Sequence, residues 1–293
     1  MDINKHRYYM TQVLLAIFQD CELCKLLAFK GGTSLMMFHG LTRFSTDLDF
    51  NLLDKEHTEK VYHRIRGILQ RFGRIEDEAI KFYGAILVLN YGEGERMLKV
   101  EVSTRQYDNH YEVKNLMGTD IRIMTVCDMF AHKLCALGER ITPRDVYDTW
   151  FFLQNRTEIN SNIVRLRTGK SVSEYARQCA EIVKETSPKT LMQGLGEVLS
   201  DNTSKNFVKR QLIEETVSLL NLFAHYPLVA NQKNTLRMQI LLENPDLVPR
   251  FESNDVDLST VSENQLQCAL NRGEALELYT RSGRLVKLVL GNV

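Results

Sequence analysis

The chain has 293 residues, and its 37 basic and 37 acidic side chains give a formal net charge of zero at pH 7. Hydrophobic residues make up 44% and charged residues 25%, which is ordinary for a soluble globular protein. This balance excludes nucleic-acid binding through bulk charge, so any such contact must use local patches. No apolar run reaches the length of a membrane span, and six cysteines without regular spacing do not indicate a disulfide framework, so we expect a cytoplasmic protein with no membrane partner.

A glycine pair follows a short apolar run near the N-terminus. Leu26–Phe29 precedes Gly31 and Gly32, and the next segment opens with the hydroxyl residues Thr33 and Ser34 and has helical periodicity. Because hydroxyl side chains often cap helices, we expect a tight turn that leads from a strand into a helix capped at this point. Such a turn presents free backbone N–H groups, which predicts a phosphate-binding site.

Acidic and apolar residues alternate over the segment Asp47–Leu52. In a strand this alternation places Asp47 and Asp49 on one face, while the residues between and after them enter a core. Two neighbouring carboxylates repel each other, and Mg²⁺ prefers such oxygen ligands together with substrate phosphates. A phosphate-binding turn and an Asp-x-Asp strand together predict transfer of a phosphate-containing group.

A second alternating segment supplies a third acidic residue. Residues 85–91 predict a buried strand, and residues 97–103 predict the partner strand of a hairpin with Glu101 on its polar face. If this hairpin pairs beside Asp47–Leu52, Glu101 joins the two aspartates; the alternative is a glutamate on the solvent side of a strand. Residues 104–120 are polar and irregular, which predicts a surface loop.

Two helices with a capped junction are predicted over residues 125–152. The second helix is expected to begin with Thr142 as N-cap, Pro143 at the first helical position and Asp145 bonding back to the cap. Asp145 and Asp148 are three residues apart and therefore share a helix face. The structural alternative is that Asp145 only caps the helix and Asp148 only forms an ordinary ion pair.

The remainder of the chain predicts mainly helices. Amphipathic periodicity marks four segments, at residues 160–168, 171–186, 188–200 and 205–226. Alternating residues over 275–290 predict a terminal β-hairpin. We therefore predict a catalytic domain over residues 1–155 and a mainly helical C-terminal domain over residues 156–293 that ends in this hairpin.

Two motif blocks resemble those of a known family. Lys30-Gly-Gly-Thr-Ser, followed by Gly40-Leu-x-Arg-Phe-Ser-x-Asp47-Leu-Asp49-Phe, looks like the first motif of the polymerase-beta-like nucleotidyltransferase superfamily. The full string more specifically resembles the AbiEii family of nucleotidyltransferase toxins, which belong to bacterial type IV toxin–antitoxin pairs and include the MenT enzymes. Lys133-Leu, with Arg144-Asp145-x-x-Asp148, is similar to the second signature of that family.

This resemblance implies an α+β fold with a polymerase-beta-like core, a mixed sheet flanked by helices, and a helical C-terminal domain. It implies Mg²⁺-dependent nucleotidyl transfer from a nucleoside triphosphate to the 3′ end of a tRNA, with an antitoxin protein as partner. The catalytic residues carried over are Asp47, Asp49, Lys133, Asp145 and Asp148. The metal ligands carried over are Asp47, Asp49 and Glu101. The nucleotide-binding residues carried over are Gly31, Gly32, Thr33, Ser34, Arg43 and Lys133.

Several roles stay open at the level of sequence. Arg43 either steers the triphosphate or braces the Asp47–Asp49 strand, and an acid of the Asp145–Asp148 pair either orients Lys133 or acts as a base. Two alternative functions are transfer to a small hydroxyl compound such as an aminoglycoside, and a catalytically idle binding module of the same fold.

Overall fold

The computed structural model describes residues 2–199, 201–230, 275–279 and 285–289. The chain divides into a compact unit that ends at Ala230 and a second unit that begins at Asn231. Helices of the first unit are α1 Ile3–Gln19, α2 Leu23–Leu26, α3 Gly31–Phe38, α4 Thr58–Leu69, α5 Val126–Arg140, α6 Pro143–Gln154, α7 Ser161–Thr168, α8 Val172–Lys184, α9 Pro188–Leu195, α10 Asn202–Arg210 and α11 Leu212–His225. Its strands are β1 Leu27–Lys30, β2 Leu48–Leu52, β3 Arg74–Lys81, β4 Gly84–Asn90, β5 Leu98–Ser103, β6 Tyr111–Leu116 and β7 Thr119–Met124.

The seven strands of the first unit form one mixed sheet with the order β3-β4-β5-β2-β1-β7-β6. β2 runs parallel to β5, and β1 runs parallel to β7, whereas the other neighbours are antiparallel. The helices flank this sheet and continue beyond it as α6–α11. The predicted class, a mixed sheet flanked by helices, is therefore confirmed.

The central strands separate an apolar face from a polar face. Phe29 of β1 pairs with Phe50 of β2, both rings are fully buried, and Phe18 of α1 packs against Phe50. One step along the same ladder, Lys30 pairs with Asp49. Because side chains alternate along a strand, the apolar pair anchors the sheet to α1 while the charged pair faces the other way.

Four local expectations need correction or extension. The predicted loop 104–120 contains strand β6, which pairs with β7 through a turn at Met117 and Gly118, both with positive φ. Strand β3 was not predicted, because it is an edge strand with mostly exposed polar residues. Helix α3 begins at Gly31 and has Lys30 as its N-cap without a side-chain bond, so the expected hydroxyl cap is wrong. The predicted helix 205–226 is divided at Gln211 into α10 and α11.

The helices after the sheet pack through aromatic contacts. Phe130 of α5 stacks on Phe152 of α6 with ring centroids 4.8 Å apart, and Phe223 of α11 also lies against the Phe130 ring. α6 begins as the sequence predicted, since the Thr142 side chain accepts a hydrogen bond from the Asp145 N–H and Pro143 follows the cap. The domain division at residue 155 stays a prediction.

The second unit is described only as two strands, β8 Ala275–Tyr279 and β9 Leu285–Val289, which pair antiparallel. Residues 231–274 of the predicted C-terminal domain lie outside the described residues. Among the helices that the structure describes, none combines the length and the apolar character needed to span a membrane.

Candidate active site

A cavity of about 920 Å³ opens beside the polar face of the central strands. Most of the residues predicted to form the site line it: Gly31, Gly32, Arg43, Asp47, Asp49, Glu101, Lys133 and Asp145. Three predicted residues, Thr33, Ser34 and Asp148, are instead fully buried behind its wall. The two motif blocks, about a hundred residues apart in sequence, therefore meet at one cavity.

The two glycines bring the start of α3 against the aspartates. Gly31 has φ +78°, and a Cβ built on it would lie 2.5 Å from Asp49 Oδ2. A Cβ on Gly32 would lie 2.8 Å from Arg43 Nη2 and 2.9 Å from Ser45 Oγ. At Gly31 the positive φ and the close approach both require glycine, and at Gly32 the close approach alone does. The first N–H groups of α3, which no helical carbonyl accepts, consequently lie beside the Asp-x-Asp strand.

Thr33, the first hydroxyl residue after the glycines, supports the strand and does not cap the helix. Thr33 Oγ1 donates a hydrogen bond to the carbonyl oxygen of Asp47. From the other side, His6 of α1 bonds to the carbonyl oxygen of Thr46 through its ring Nε2 at 2.9 Å. Ser34 Oγ is buried and has no hydrogen-bond partner among the described residues. The backbone around Asp47 is therefore held by α1 and α3 together.

Glu101 lies beside Asp49 in the parallel ladder between β2 and β5, as the hairpin hypothesis required. Its carboxylate accepts a bond of 2.9 Å from Lys99, and this bond holds the pKa of Glu101 below its ordinary value although burial opposes the shift. The pKa of Asp49 is raised, first by burial and further by the negative charges of Glu101 and Asp47, against the pull of Lys30. The carboxylates thus repel each other and are incompletely compensated.

Lys30 precedes the glycine pair of the first motif, and no role in the site was predicted for it. It lines the cavity next to Asp49, and burial lowers its pKa against the attraction of Asp49 and Glu101. Arg105 and Arg167 lower it further, so positive charge collects at this end of the cavity. The residue before a glycine pair carries no signal of its own that would distinguish it from any strand lysine.

The second motif block builds a buried network of ion pairs. The Arg43 guanidinium donates two hydrogen bonds to the Asp148 carboxylate, from Nε at 2.6 Å and from Nη2 at 2.7 Å. Lys133 Nζ lies 2.6 Å from Asp148 and 3.1 Å from Asp145. Arg140 Nε bonds to Asp145 at 3.0 Å. Arg43 therefore ties the segment before β2 to α6, and it also lines the cavity.

This network fixes the protonation of its members. Burial raises the pKa of both aspartates, but Arg43 and Lys133 hold the pKa of Asp148 below its ordinary value, and Lys133, Thr142 and Arg140 lower that of Asp145 to about 2. The pKa of Lys133 is raised, since its two carboxylate partners outweigh burial. Both acids are ionised at neutral pH and both are occupied by cations, so they are poor proton acceptors.

Arg144 is a further cavity residue without a counterpart in the network. It follows Pro143 in α6, lines the cavity, and has its pKa lowered mainly by burial, with Arg43 adding repulsion. No described carboxylate lies within salt-bridge distance of it. The sequence motif contains this arginine, but only the structure shows that it lines the cavity, where Asp47 and Asp148 attract its charge from beyond the distance of a salt bridge.

A comparison of the sequence with protein-family profiles gives the same family as the two motif blocks. Residues 12–257 match the profile of the family described as "Nucleotidyl transferase AbiEii toxin, Type IV TA system". The chain belongs to this family. It is accordingly a nucleotidyltransferase of a toxin family, with a nucleoside triphosphate as substrate and an antitoxin as the partner that the family implies. The expected family and the expected enzyme class are confirmed.

Two bacterial proteins are among the solved structures to which this chain is similar. MenT4, a nucleotidyltransferase toxin from Mycobacterium tuberculosis, is 19% identical with a TM-score of 0.51, and the match covers 77% of this chain and 84% of MenT4. JHP933 from Helicobacter pylori is 20% identical with a TM-score of 0.47, covering 81% of this chain and 97% of JHP933. No curated protein matches the chain. The likeness to MenT4 supports the fold.

Proposed function

We propose that this AbiEii-family protein transfers a nucleotide from a nucleoside triphosphate to the 3′ end of a tRNA with the help of Mg²⁺, and that an antitoxin restrains it in the cytoplasm. The observation that carries the proposal is the meeting of Asp47 and Asp49 with the Gly31-Gly32 turn in one cavity. Carboxylates for a cation and free amide groups for phosphate are the two components that nucleotidyl transfer requires.

The side chains present fit a divalent cation held jointly with substrate phosphates. Within the described residues no three His, Cys, Asp or Glu side chains cluster closely enough to hold a metal by themselves. Asp47 and Asp49 nevertheless share the cavity, and Mg²⁺ commonly binds one or two carboxylates while phosphates and waters complete its shell. Burial raises the pKa of Asp49, and the negative charges of Glu101 and Asp47 raise it further; a bound cation would favour the ionised carboxylate.

We assign Asp47 and Asp49 as the residues that hold this Mg²⁺. Glu101 is the proposed third ligand, although its carboxylate is bonded to Lys99 here. When bound, the ion would neutralise phosphate charge and favour an in-line displacement. The α3 amides of Gly31 and Gly32 are proposed to bind phosphate oxygens, and Thr33 and Ser34 are buried behind them.

The basic side chains that line the cavity differ in whether they form a salt bridge with a described carboxylate. Lys30 and Arg144 are proposed to bind the triphosphate, because both line the cavity and an anion there would stabilise their buried charges. Lys133 lines the same cavity and is proposed to contact a phosphate oxygen while Asp145 and Asp148 fix its position. Because both acids are ionised and occupied, their geometry favours orientation of Lys133 over action as a base.

Label transfer tests the proposal directly. The purified chain is incubated with each of four labelled nucleoside triphosphates, Mg²⁺ and total tRNA, and the RNA is separated on a denaturing gel. We expect label on RNA with at least one nucleotide, loss of the signal with EDTA, and loss in Asp49→Asn. Asp77→Asn, which removes an exposed acid from β3, is the matched control and should keep activity.

Two results would contradict this proposal. Absence of label on RNA with all four nucleotides rejects the tRNA acceptor, and a parallel incubation with aminoglycosides then tests transfer to a small hydroxyl compound. Retained transfer in Asp49→Asn rejects the assigned metal site. Membership of a nucleotidyltransferase family already supports an enzyme over an idle binding module.

A further inference from the structure

An exposed aromatic pair lies at the turn between β3 and β4, on the border of the cavity. Phe82 and Tyr83 are 88% and 55% exposed, and their ring centroids are 4.7 Å apart in an edge-to-face contact. Tyr83 also lines the cavity. Single exposed apolar residues are common on protein surfaces, but neighbouring exposed rings at the edge of a site indicate a contact surface.

The backbone holds this pair firmly against β5. Gly84 has φ +139°, and a Cβ built on it would meet the carbonyl oxygen of Val102 at 1.8 Å, so the turn lies tight on the strand. The Thr104 N–H donates to the carbonyl oxygen of Tyr83 at 3.0 Å, which extends the ladder past the end of β5. The rings are therefore anchored to the strand that carries Glu101.

The guanidinium group of Arg105 lies beside the exposed aromatic pair. The Arg105 guanidinium carbon lies 4.6 Å from the Tyr83 ring centroid. No described carboxylate lies within salt-bridge distance of Arg105, so its charge is available to a ligand. Aromatic faces combined with an unpaired cation suit the bases and phosphates of a single-stranded nucleic acid, since every base has a face to stack and every linkage a negative charge.

The spacing agrees with such a ligand. β5 ends at Ser103, and the bond from the Thr104 N–H to Tyr83 places Tyr83 three ladder steps from Glu101. At about 3.3 Å per residue this is about 10 Å. Stacked nucleotides rise about 3.4 Å each, so about three nucleotides cover the same distance. A strand whose last nucleotide reaches the carboxylates would therefore place its preceding bases at the aromatic pair.

We propose that Phe82, Tyr83 and Arg105 form a stacking platform for the unpaired bases that precede the 3′ hydroxyl of an RNA acceptor. The inference rests on the proposed function for the identity of the acceptor, but the platform itself is tested by binding alone. It also explains how a chain with zero net charge holds RNA, because stacking and one local cation replace a broad basic surface.

The test measures binding of a fluorescent single-stranded 12-nucleotide RNA to the full chain by anisotropy. We expect F82A/Y83A to raise the Kd at least about fivefold, because stacking on one aromatic ring is commonly worth that factor or more. Tyr83→Phe keeps a ring and should bind nearly as wild type. Tyr8→Ala removes a 59% exposed ring from α1 and serves as the matched control. Circular dichroism confirms that each variant is folded.

The outcomes separate the platform from the proposed reaction. A raised Kd for RNA in F82A/Y83A, together with an unchanged Kd for a fluorescent nucleoside triphosphate, supports the platform even if wild type transfers no label to tRNA. An unchanged Kd for RNA, or no RNA binding by wild type, overturns the platform even if transfer to tRNA occurs. In that case the exposed rings are better assigned to a protein partner.

Discussion

The buried ion network around Asp148 gives the sharpest prediction for stability. The Asp148 carboxylate is fully buried and receives three short bonds, two from Arg43 and one from Lys133. Asp148→Asn keeps the shape of the side chain but removes the charge and turns an amide donor toward cationic donors. Breaking a buried ion pair from one side costs about 3–5 kcal/mol, because the partner charge stays buried and unpaired.

A loss of this size is large beside the total stability of a domain, which is about 5–15 kcal/mol. With a urea m-value of about 3 kcal/mol/M, the unfolding midpoint should fall by more than about 1 M. Equilibrium urea unfolding followed by circular dichroism measures this shift. Glu22→Gln, which removes the partner of Lys60 in an exposed ion pair, is the matched control and should keep a midpoint close to wild type.

The double variant Arg43→Met/Asp148→Leu extends the test. It removes both charges of the bidentate pair and fills the space with apolar groups, so it should recover part of the stability lost in Asp148→Asn. A midpoint for Asp148→Asn within about 0.3 M of wild type would refute the reasoning that this network is dry and coupled.

Three further predictions follow from the same geometry. Gly31→Ala should lower the melting temperature and label transfer together, because alanine at φ +78° is strained and its methyl would meet Asp49; Gly94→Ala, also at positive φ but in open space, separates the two effects. The pKa of Asp145 is about 2 in the folded protein and 3.8 in an ordinary aspartate, so its ionisation should add about 2 kcal/mol to the free energy of unfolding. This contribution is present above about pH 5 and is lost as the pH falls toward about 2. The urea unfolding midpoint of Asp145→Asn should therefore depend less on pH over that range. Arg144→Ala should raise the KM for nucleoside triphosphate about tenfold or more while the KM for RNA stays constant, and an unchanged nucleotide KM would reject its proposed role.

Local patterns in the sequence determined the pieces of the site. The alternation of Asp47–Leu52 fixes which side chains share a strand face, and the Thr142-Pro143 pair fixes where α6 begins, because both depend on neighbours in the chain. The motif order was sufficient to identify the family. Edge strands such as β3 and β6 escaped prediction, since exposed polar strands are specified by their partners rather than by their own residues.

Tertiary structure alone decided which charges are satisfied. The family resemblance implied that Lys133 faces a nucleotide, and the sequence left Arg43 two roles. The packing of α5, α6 and the segment after α3 brings both cations to Asp148. The same packing places Lys30 and Arg144 at the cavity, where burial lowers the pKa of each although nearby carboxylates attract both charges. Pairing between residues a hundred positions apart depends on distance and burial, and neither quantity is written in the local pattern of a chain.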